Sequence, residues 1–129
     1  MILVDSSVWV DFFSRTPRRP GAELRRLIQN DEPIALTGVV VAEILQGLKR
    51  DPATIERFLA HWEMLEPSGF PTYSSAASIY RAARSKGIAT TTIDTLIAAI
   101  ALENGATVFT AANDFSRIAS ITGLALHRF

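Results

Sequence analysis

The sequence predicts an α/β protein with three layers, α/β/α, around a mostly parallel central sheet of about five strands. Two observations lead to this prediction. Short apolar segments of strand length alternate along the chain with longer segments of helical periodicity, which favours parallel strands joined by helical crossovers. The 129 residues, 48% of them hydrophobic and 20% charged, are enough for one core, so we expect a single domain over residues 1–129.

The predicted strands are short, apolar and bounded by turn residues or by residues that begin helices. Parallel strands buried on both faces are expected to be apolar throughout rather than alternating. The predicted strands are Ile2–Asp5, Pro33–Leu36, Met64–Glu66, Thr107–Thr110 and Leu124–Arg128.

The helices are predicted from 3.6-residue periodicity and from capping residues. Asp51 and Pro52 form a start signal, and Gly87 and Gly105 suit left-handed positions at helix ends. The stretch Ser14–Gly21 holds two prolines and is predicted to be an exposed loop. The predicted helices are Ser6–Phe13, Ala22–Gln29, Val39–Arg50, Asp51–Trp62, Thr72–Lys86, Thr90–Gly105 and Asp114–Ile121.

Composition excludes several classes of protein. The chain has no cysteine, so disulfides and thiolate metal sites are excluded, and with only His61 and His127 a multi-histidine zinc site is not expected. No apolar run approaches the roughly 18–20 residues of a membrane span, and no secretory signal is visible, so we expect a cytoplasmic protein. The two tryptophans do not resemble a base-stacking platform, and Trp9 with Phe12 and Phe13 is a candidate surface for partner contacts.

The formal net charge of zero means that the molecule as a whole does not attract polyanions. Any nucleic acid would have to meet local basic groups. The candidates are Arg15, Arg18 and Arg19 in one loop, and Arg81, Arg84 and Lys86 near the end of one helix.

Four carboxylates stand at the predicted carboxyl ends of strands or early in predicted helices. Ligand sites of open α/β sheets lie at this edge. The four are Asp5, Glu43, Asp94 and Asp114. Taken singly, Asp5, Asp94 and Asp114 could each serve only to begin a helix, and Glu43 could pair with an arginine or reach solvent.

Taken together, the four acids predict a cation site. Carboxylates gathered at one sheet edge repel one another, and a divalent cation removes that penalty. In a chain without cysteine the ion would prefer oxygen ligands, as Mg²⁺ does and as Mn²⁺ can. Asp94 shares its helix face with Ala98 and Ala101, which would leave room for an ion or a substrate.

Four segments carry a resemblance to a known family. In the printed sequence they are MILVDSSVWVDFF, VVVAEILQGL, TTIDTLIAAIALENGA and TVFTAANDFSRI, and in this order the set resembles a PIN domain, more narrowly the VapC-type toxins of toxin–antitoxin pairs. The resemblance covers essentially the whole chain. One departure is Ala112, where many relatives carry a polar or acidic residue. Asp114 alone would therefore supply the fourth acidic position of the site.

The resemblance implies a Mg²⁺-dependent endoribonuclease, with Mn²⁺ as an alternative ion, that cleaves RNA and is neutralised by a cognate antitoxin. It implies that Asp5 and Asp94 bind the metal and that Glu43 and Asp114 complete the catalytic set. Two further predicted site residues, Ser6 and Asn113, would hold carboxylates and bound waters in place. A homodimer is also implied, and Arg84 and Lys86 are our candidates for sugar-phosphate contacts.

Other functions remain as alternatives. The chain could be an RNA-processing nuclease of the same fold without an antitoxin, or a catalytically inactive PIN-like binding module. A signalling receiver domain is of similar size, but it needs an adjacent acidic pair after the first strand, where this chain has Asp5 followed by two serines. The absence of a glycine-rich phosphate loop disfavours a nucleotide cofactor.

Overall fold

Helices and strands alternate as expected in the structure, a computed structural model that describes residues 1–129. The strands are β1 (Ile2–Val4), β2 (Ile34–Leu36), β3 (Glu63–Met64) and β4 (Thr107–Phe109). The helices are α1 (Ser6–Phe12), α2 (Arg19–Gln29), α3 (Gly38–Gln46), α4 (Pro52–Leu59), α5 (Phe70–Ser85), α6 (Thr92–Glu103) and α7 (Asp114–Ala119).

The four strands form one sheet in the order β3-β2-β1-β4, and every neighbouring pair is parallel. The strand order reverses beside β1, because the chain runs outward from β1 to β3 and then returns to β4 on the other side. Such a reversal opens a crevice at the carboxyl ends of the strands. Asp5 directly follows β1 and therefore stands at this point.

The predicted fifth strand, Leu124–Arg128, is reduced to a single parallel bridge between Val108 and Leu126. The prediction of about five strands was therefore wrong by one. The reason is the short length of β4, since residues of a parallel strand bond alternately to the neighbours on either side. Thr107 and Phe109 already bond to the β1 side, so only Val108 is left to pair outward, with the backbone around Leu126.

The helices cover both faces of the sheet, which confirms the predicted three layers. Right-handed crossovers place the helices of the β1–β2 and β2–β3 connections on one face and those of the returning β3–β4 connection on the other. Helix α6 supplies much of the second layer, with Ile97, Ala98 and Ile100 buried against the sheet. None of the seven helices combines the length and apolarity that crossing a bilayer requires.

Trp9 is completely buried, so the expectation that it contacts a partner was wrong. Its ring stacks on Phe13 with centroids 5.8 Å apart and meets Phe58 edge-on at 6.2 Å. Trp62 packs against both Trp9 and Phe58. The aromatic cluster therefore joins α1 to α4 and the turn after it, across more than forty residues of chain, a contact that local periodicity cannot reveal.

Several predicted boundaries differ from the structure by a few residues, among them the start of α2 and the end of α3. The loop after α1 is shorter than expected, because α2 already begins at Arg19 with Pro20 in its first turn. The Asp11 carboxylate accepts hydrogen bonds from the backbone N–H groups of Arg18 and Gly21, and so fixes the entry to α2 from a different helix. Helix α3 ends at Gln46 rather than running to residue 50, with Gly47 as its C-terminal cap.

Glu23 ties α2 to the C-terminal segment. Its carboxylate accepts hydrogen bonds from Arg26 at 2.7 Å and pairs with His127 at 2.6 Å. The hydrogen bond from Arg26 and the contact with His127 lower the pKa of Glu23 from 4.5 to about 2, against an opposing effect of burial. The ionised form is therefore the one that the folded chain stabilises.

We expect Glu23→Gln to reduce the free energy of unfolding near neutral pH, because the amide loses the charged contacts. A carboxylate whose pKa is lowered on folding contributes stability that is complete above its unfolded pKa and is lost as pH falls toward its folded pKa. The difference from wild type should therefore narrow below about pH 4.5 and vanish near pH 2. Urea unfolding across this range measures it, with Glu56→Gln, an exposed α4 residue, as control; a difference independent of pH would contradict the assignment.

Candidate active site

Asp5 is held in one orientation by two hydroxyl groups. Ser7 Oγ donates a hydrogen bond of 2.8 Å to Asp5 Oδ2, and Thr110 Oγ1 donates one of 3.0 Å to the same oxygen. Each hydroxyl in turn accepts a backbone N–H, from Ala111 and Ala112 respectively, which directs its own hydrogen toward the carboxylate. The other oxygen, Oδ1, accepts no hydrogen bond and is left for a different ligand, although the residue is only 6% exposed.

Asp94 lies in the first turn of α6, as predicted, and is half-buried. The helix begins at a threonine cap, where Thr91 Oγ1 accepts the backbone N–H of Asp94 at 3.1 Å. On the same helix face Ala98 and Ala101 are buried and small, so no long side chain shares this face with the carboxylate. The positive end of the α6 dipole favours an anion or a carboxylate here.

The negative charges of the other three predicted acids all act on Asp94. Burial raises the pKa of Asp94 above its ordinary value, and the negative charges of Asp114, Asp5 and Glu43 raise it further, whereas the hydrogen bond at Thr91 lowers it. Charges influence one another measurably only over distances on the order of 10 Å in salt solution. Residues that are separated by as much as 109 positions in sequence, from 5 to 114, therefore lie in the same region of the molecule as Asp94.

Glu43 is oriented by Ser6. Ser6 Oγ donates a hydrogen bond of 3.2 Å to Glu43 Oε1, across 37 residues of chain. Ser6 was predicted to hold a carboxylate, and in the structure its partner is Glu43, while its neighbour Ser7 holds Asp5. Ser6 and Ser7, which are neighbours at the start of α1, therefore hydrogen-bond to different carboxylates.

Asp114 is partly exposed and pairs with an arginine. Its side chain is 47% exposed and accepts a hydrogen bond from the Arg117 guanidinium at 3.1 Å, one turn further along α7. Asn113 precedes it as the N-terminal cap residue of α7, but its side chain makes no capping hydrogen bond and contacts none of the acids by hydrogen bonding. The role predicted for Asn113 stays a prediction without a contact to support it.

The donor set suits an oxygen-preferring divalent cation. It contains carboxylates from four separate segments, a free oxygen on Asp5, and mutual repulsion that a cation would relieve. No three acidic or histidine side chains converge closely enough to enclose an ion on their own. This fits Mg²⁺ better than a fully enclosed metal such as structural zinc, because Mg²⁺ keeps several waters and often takes only one or two carboxylates.

Three residues of this site were missed by the sequence reasoning. Thr110 and Ser7 hold Asp5, and Arg117 pairs with Asp114. Thr110 directly follows β4, so the rule that found the acids at the carboxyl ends of strands would have found it had hydroxyl groups been considered as well. Arg117 stands three positions after Asp114, the usual spacing for an ion pair on one helix.

The fold and the acidic site together define a class of protein. The model of the PIN domain family matches residues 2–121 of this chain. The chain therefore belongs to the PIN domain family.

Within that family the chain is of the VapC ribonuclease type. It is 38% identical over 128 residues to a VapC ribonuclease of Mycobacterium bovis and to the same extent to ribonuclease VapC11 of Mycobacterium tuberculosis. Each alignment covers 96% of this chain and 96% of the relative. The relatives thus match this chain in length as well as in sequence.

Solved structures with the same fold include toxin–antitoxin complexes. The structure of VapBC2 from Rickettsia felis, bound to a fragment of promoter DNA, superposes with a TM-score of 0.78 at 24% identity and covers 100% of this chain and 99% of the other. VapC20 of Mycobacterium tuberculosis, a toxin that cleaves the sarcin–ricin loop, superposes with a TM-score of 0.71 at 16% identity, covering 97% and 99%. At these identities the likeness supports the fold.

Proposed function

We propose that this protein is a Mg²⁺-dependent endoribonuclease that acts as the toxin of a toxin–antitoxin pair and is neutralised by a cognate antitoxin. The observation that supports the proposal is the arrangement at the carboxyl edge of the sheet, where Asp5 has a free Oδ1, Glu43 is hydrogen-bonded to the neighbouring Ser6, and the charges of both and of Asp114 act on Asp94. Ribonuclease names on relatives that are 38% identical over nearly the whole chain support the same conclusion.

The four acids have three different roles in the proposed reaction. Asp5, through its free Oδ1, and Asp94 would hold the metal, and when bound the ion supplies a more acidic water and charge stabilisation at the phosphate. The two hydroxyls on Asp5 Oδ2 keep the carboxylate from rotating, so that Oδ1 faces one direction. Glu43, oriented by Ser6, would accept a proton from the attacking water, and Asp114 would complete the negative cluster.

The reaction is tested by incubating the purified protein with total RNA in the presence of Mg²⁺, of Mn²⁺ and of chelator. We expect discrete new RNA ends with either ion and none with chelator. Mapping the ends identifies the target and cleavage position. Intact RNA under every condition would contradict the nuclease proposal, and equal cleavage in chelator would contradict its metal dependence.

The proposed antitoxin site is an apolar groove beside the end of α1. A cavity of about 550 Å³ lies between α1, α3 and the start of α4, and its apolar lining is Val10, Phe13, Ile44, Leu48 and Ile55. Its charged lining residues are Lys49, Arg50 and Asp51, which together carry one net positive charge. We propose that a segment of the antitoxin with apolar and acidic side chains binds here, since such a segment complements both features.

We expect Val10→Asp to weaken antitoxin binding at least about tenfold, because it places a charge in the apolar groove. Val10 is 56% exposed in the free chain, so the fold should tolerate the change and RNA cleavage should persist. Calorimetry with the protein encoded by the neighbouring reading frame measures the affinity, and Gln29→Asp on the exposed part of α2 is the control. An unchanged affinity would remove the groove from the interface.

We also propose that the chain forms a homodimer, as the resemblance to the VapC type implies. Sedimentation velocity over a range of concentrations tests it. A monomer at every concentration would contradict this part of the proposal and leave the nuclease chemistry untouched.

A further inference from the structure

A second cavity opens near the start of α6, the helix that carries Asp94. It has a volume of about 360 Å³ and lies between α5 and α6 near the start of α6. Part of its lining consists of Tyr80, Arg81, Arg84, Thr92, Thr95 and Leu96. Thr92 and Thr95 belong to the same first turn of α6 as Asp94 but point to a different face of the helix, so a strand that passes over the start of α6 can reach both the cavity and the candidate active site.

The arginines of this cavity have no acidic partner. The ion pairs of the chain join Glu23 to Arg26 and His127, and Asp114 to Arg117. Arg81 and Arg84 take part in none of them and are exposed on α5. An acidic active site repels a polyanionic substrate, and free guanidinium groups at its border are well suited to bind phosphate.

An aromatic ring stands among these charges. The Arg84 guanidinium carbon lies 5.9 Å from the centroid of the Tyr80 ring, within the range of a cation–π contact. Tyr80 is 36% exposed, and Tyr73, two turns earlier on α5, is 52% exposed. A partly exposed aromatic ring next to a guanidinium is a surface on which unpaired nucleic-acid bases stack.

We propose that the α5–α6 cavity binds a nucleotide of the single-stranded RNA that is cleaved at the acidic site, with its base on Tyr80 and its phosphate at Arg84. This inference rests on the proposed nuclease function and adds the part of the substrate that is recognised. Only an unpaired base exposes the face that Tyr80 needs, which excludes a duplex at this position. Arg81 provides a second contact for the neighbouring phosphate.

The test measures RNA binding apart from cleavage. The Asp5→Asn protein in Mg²⁺ is titrated into a short fluorescent single-stranded oligoribonucleotide of mixed sequence, alone and combined with Tyr80→Ala, Tyr80→Phe, Arg84→Ala or Arg25→Ala. Arg25 is an exposed α2 arginine without an ion pair, and it controls for loss of one positive charge. The same four substitutions in the wild-type background are assayed for kcat and KM.

We expect Tyr80→Ala and Arg84→Ala to raise the dissociation constant about tenfold and to act on KM more than on kcat. Tyr80→Phe, which keeps the stacking face, should bind within about twofold of its parent, as should Arg25→Ala. A duplex of the same sequence should bind more weakly than the single strand.

Several outcomes would overturn the proposal. Equal weakening by Arg84→Ala and Arg25→Ala would indicate a general charge effect, and loss of the dimer in Tyr80→Ala by sedimentation would make this face a contact between two copies of the chain. Normal binding and cleavage in every variant would remove the cavity from the substrate path while leaving the nuclease intact. A wild-type protein that neither cleaves nor binds RNA would refute the proposed function itself, and this inference with it.

Discussion

Asp5→Asn is expected to lower RNA cleavage by about a thousandfold or more while the protein remains folded. An amide keeps the shape of the side chain and can still accept the hydrogen bonds of Ser7 and Thr110, so the surroundings need not rearrange. It removes the negative charge that would hold the cation. Steady-state cleavage of the RNA identified by end mapping, with circular dichroism to verify the fold, measures the effect.

The matched control is Asp31→Asn. Asp31 is exposed after α2 and has a positive φ of 54°, a conformation that asparagine also adopts readily. It should cleave RNA at the wild-type rate. In cells, expression of the wild-type protein without its antitoxin should arrest growth, and Asp5→Asn should relieve the arrest; a fully active Asp5→Asn enzyme would exclude Asp5 from the metal site.

The acids could be found from sequence because their positions follow from topology. Once β1 and β4 are recognised as parallel strands, Asp5 and the segment that holds Asp114 must lie at the same edge of the sheet. Asp94 was found because a carboxylate in an otherwise apolar helix is costly without a partner. These inferences need only the direction of each strand and the approximate start of each helix.

Hydrogen-bond partners could not be found in the same way. Ser6 and Ser7 are neighbours in sequence, yet Ser6 binds Glu43 and Ser7 binds Asp5, a distinction that depends on the rotation of α1 relative to α3. Burial of Trp9 likewise depends on α4 returning to cover it with Phe58. The missing fifth strand depends on the three-residue length of β4, and boundaries of one or two residues lie below the resolution of periodicity.

Asp94→Asn should also lower cleavage by about a thousandfold or more. Most substitutions lower the stability of a protein, but this one should raise the stability of the metal-free protein. In the metal-free protein, Asp94 is a half-buried carboxylate repelled by three other acids, and its pKa is raised. A carboxylate with a raised pKa destabilises the folded state when it is ionised. This cost is absent below the unfolded pKa and develops as pH rises through the folded pKa, so it is fully present at neutral pH.

Two measurements follow for Asp94→Asn. In chelator at neutral pH its melting temperature should exceed that of wild type, and the difference should shrink as pH falls and the wild-type carboxyl group becomes protonated. Added Mg²⁺ should raise the melting temperature of wild type by binding only the folded state, and should raise that of Asp94→Asn much less. The two proteins should therefore converge in stability as the ion is added.

A purely structural role for Asp94 would give a different pattern of melting temperatures. If Asp94 served only to begin α6, its replacement would lower the melting temperature in chelator and in Mg²⁺ alike, since a cap contributes independently of a metal. Thr91 provides that comparison, because its hydroxyl caps α6 by accepting the Asp94 N–H. Thr91→Ala should cost about 1 kcal/mol under both conditions. A stabilised, Mg²⁺-insensitive Asp94→Asn beside a destabilised, Mg²⁺-responsive Thr91→Ala would separate the carboxylate that binds the cation from the residue that begins the helix.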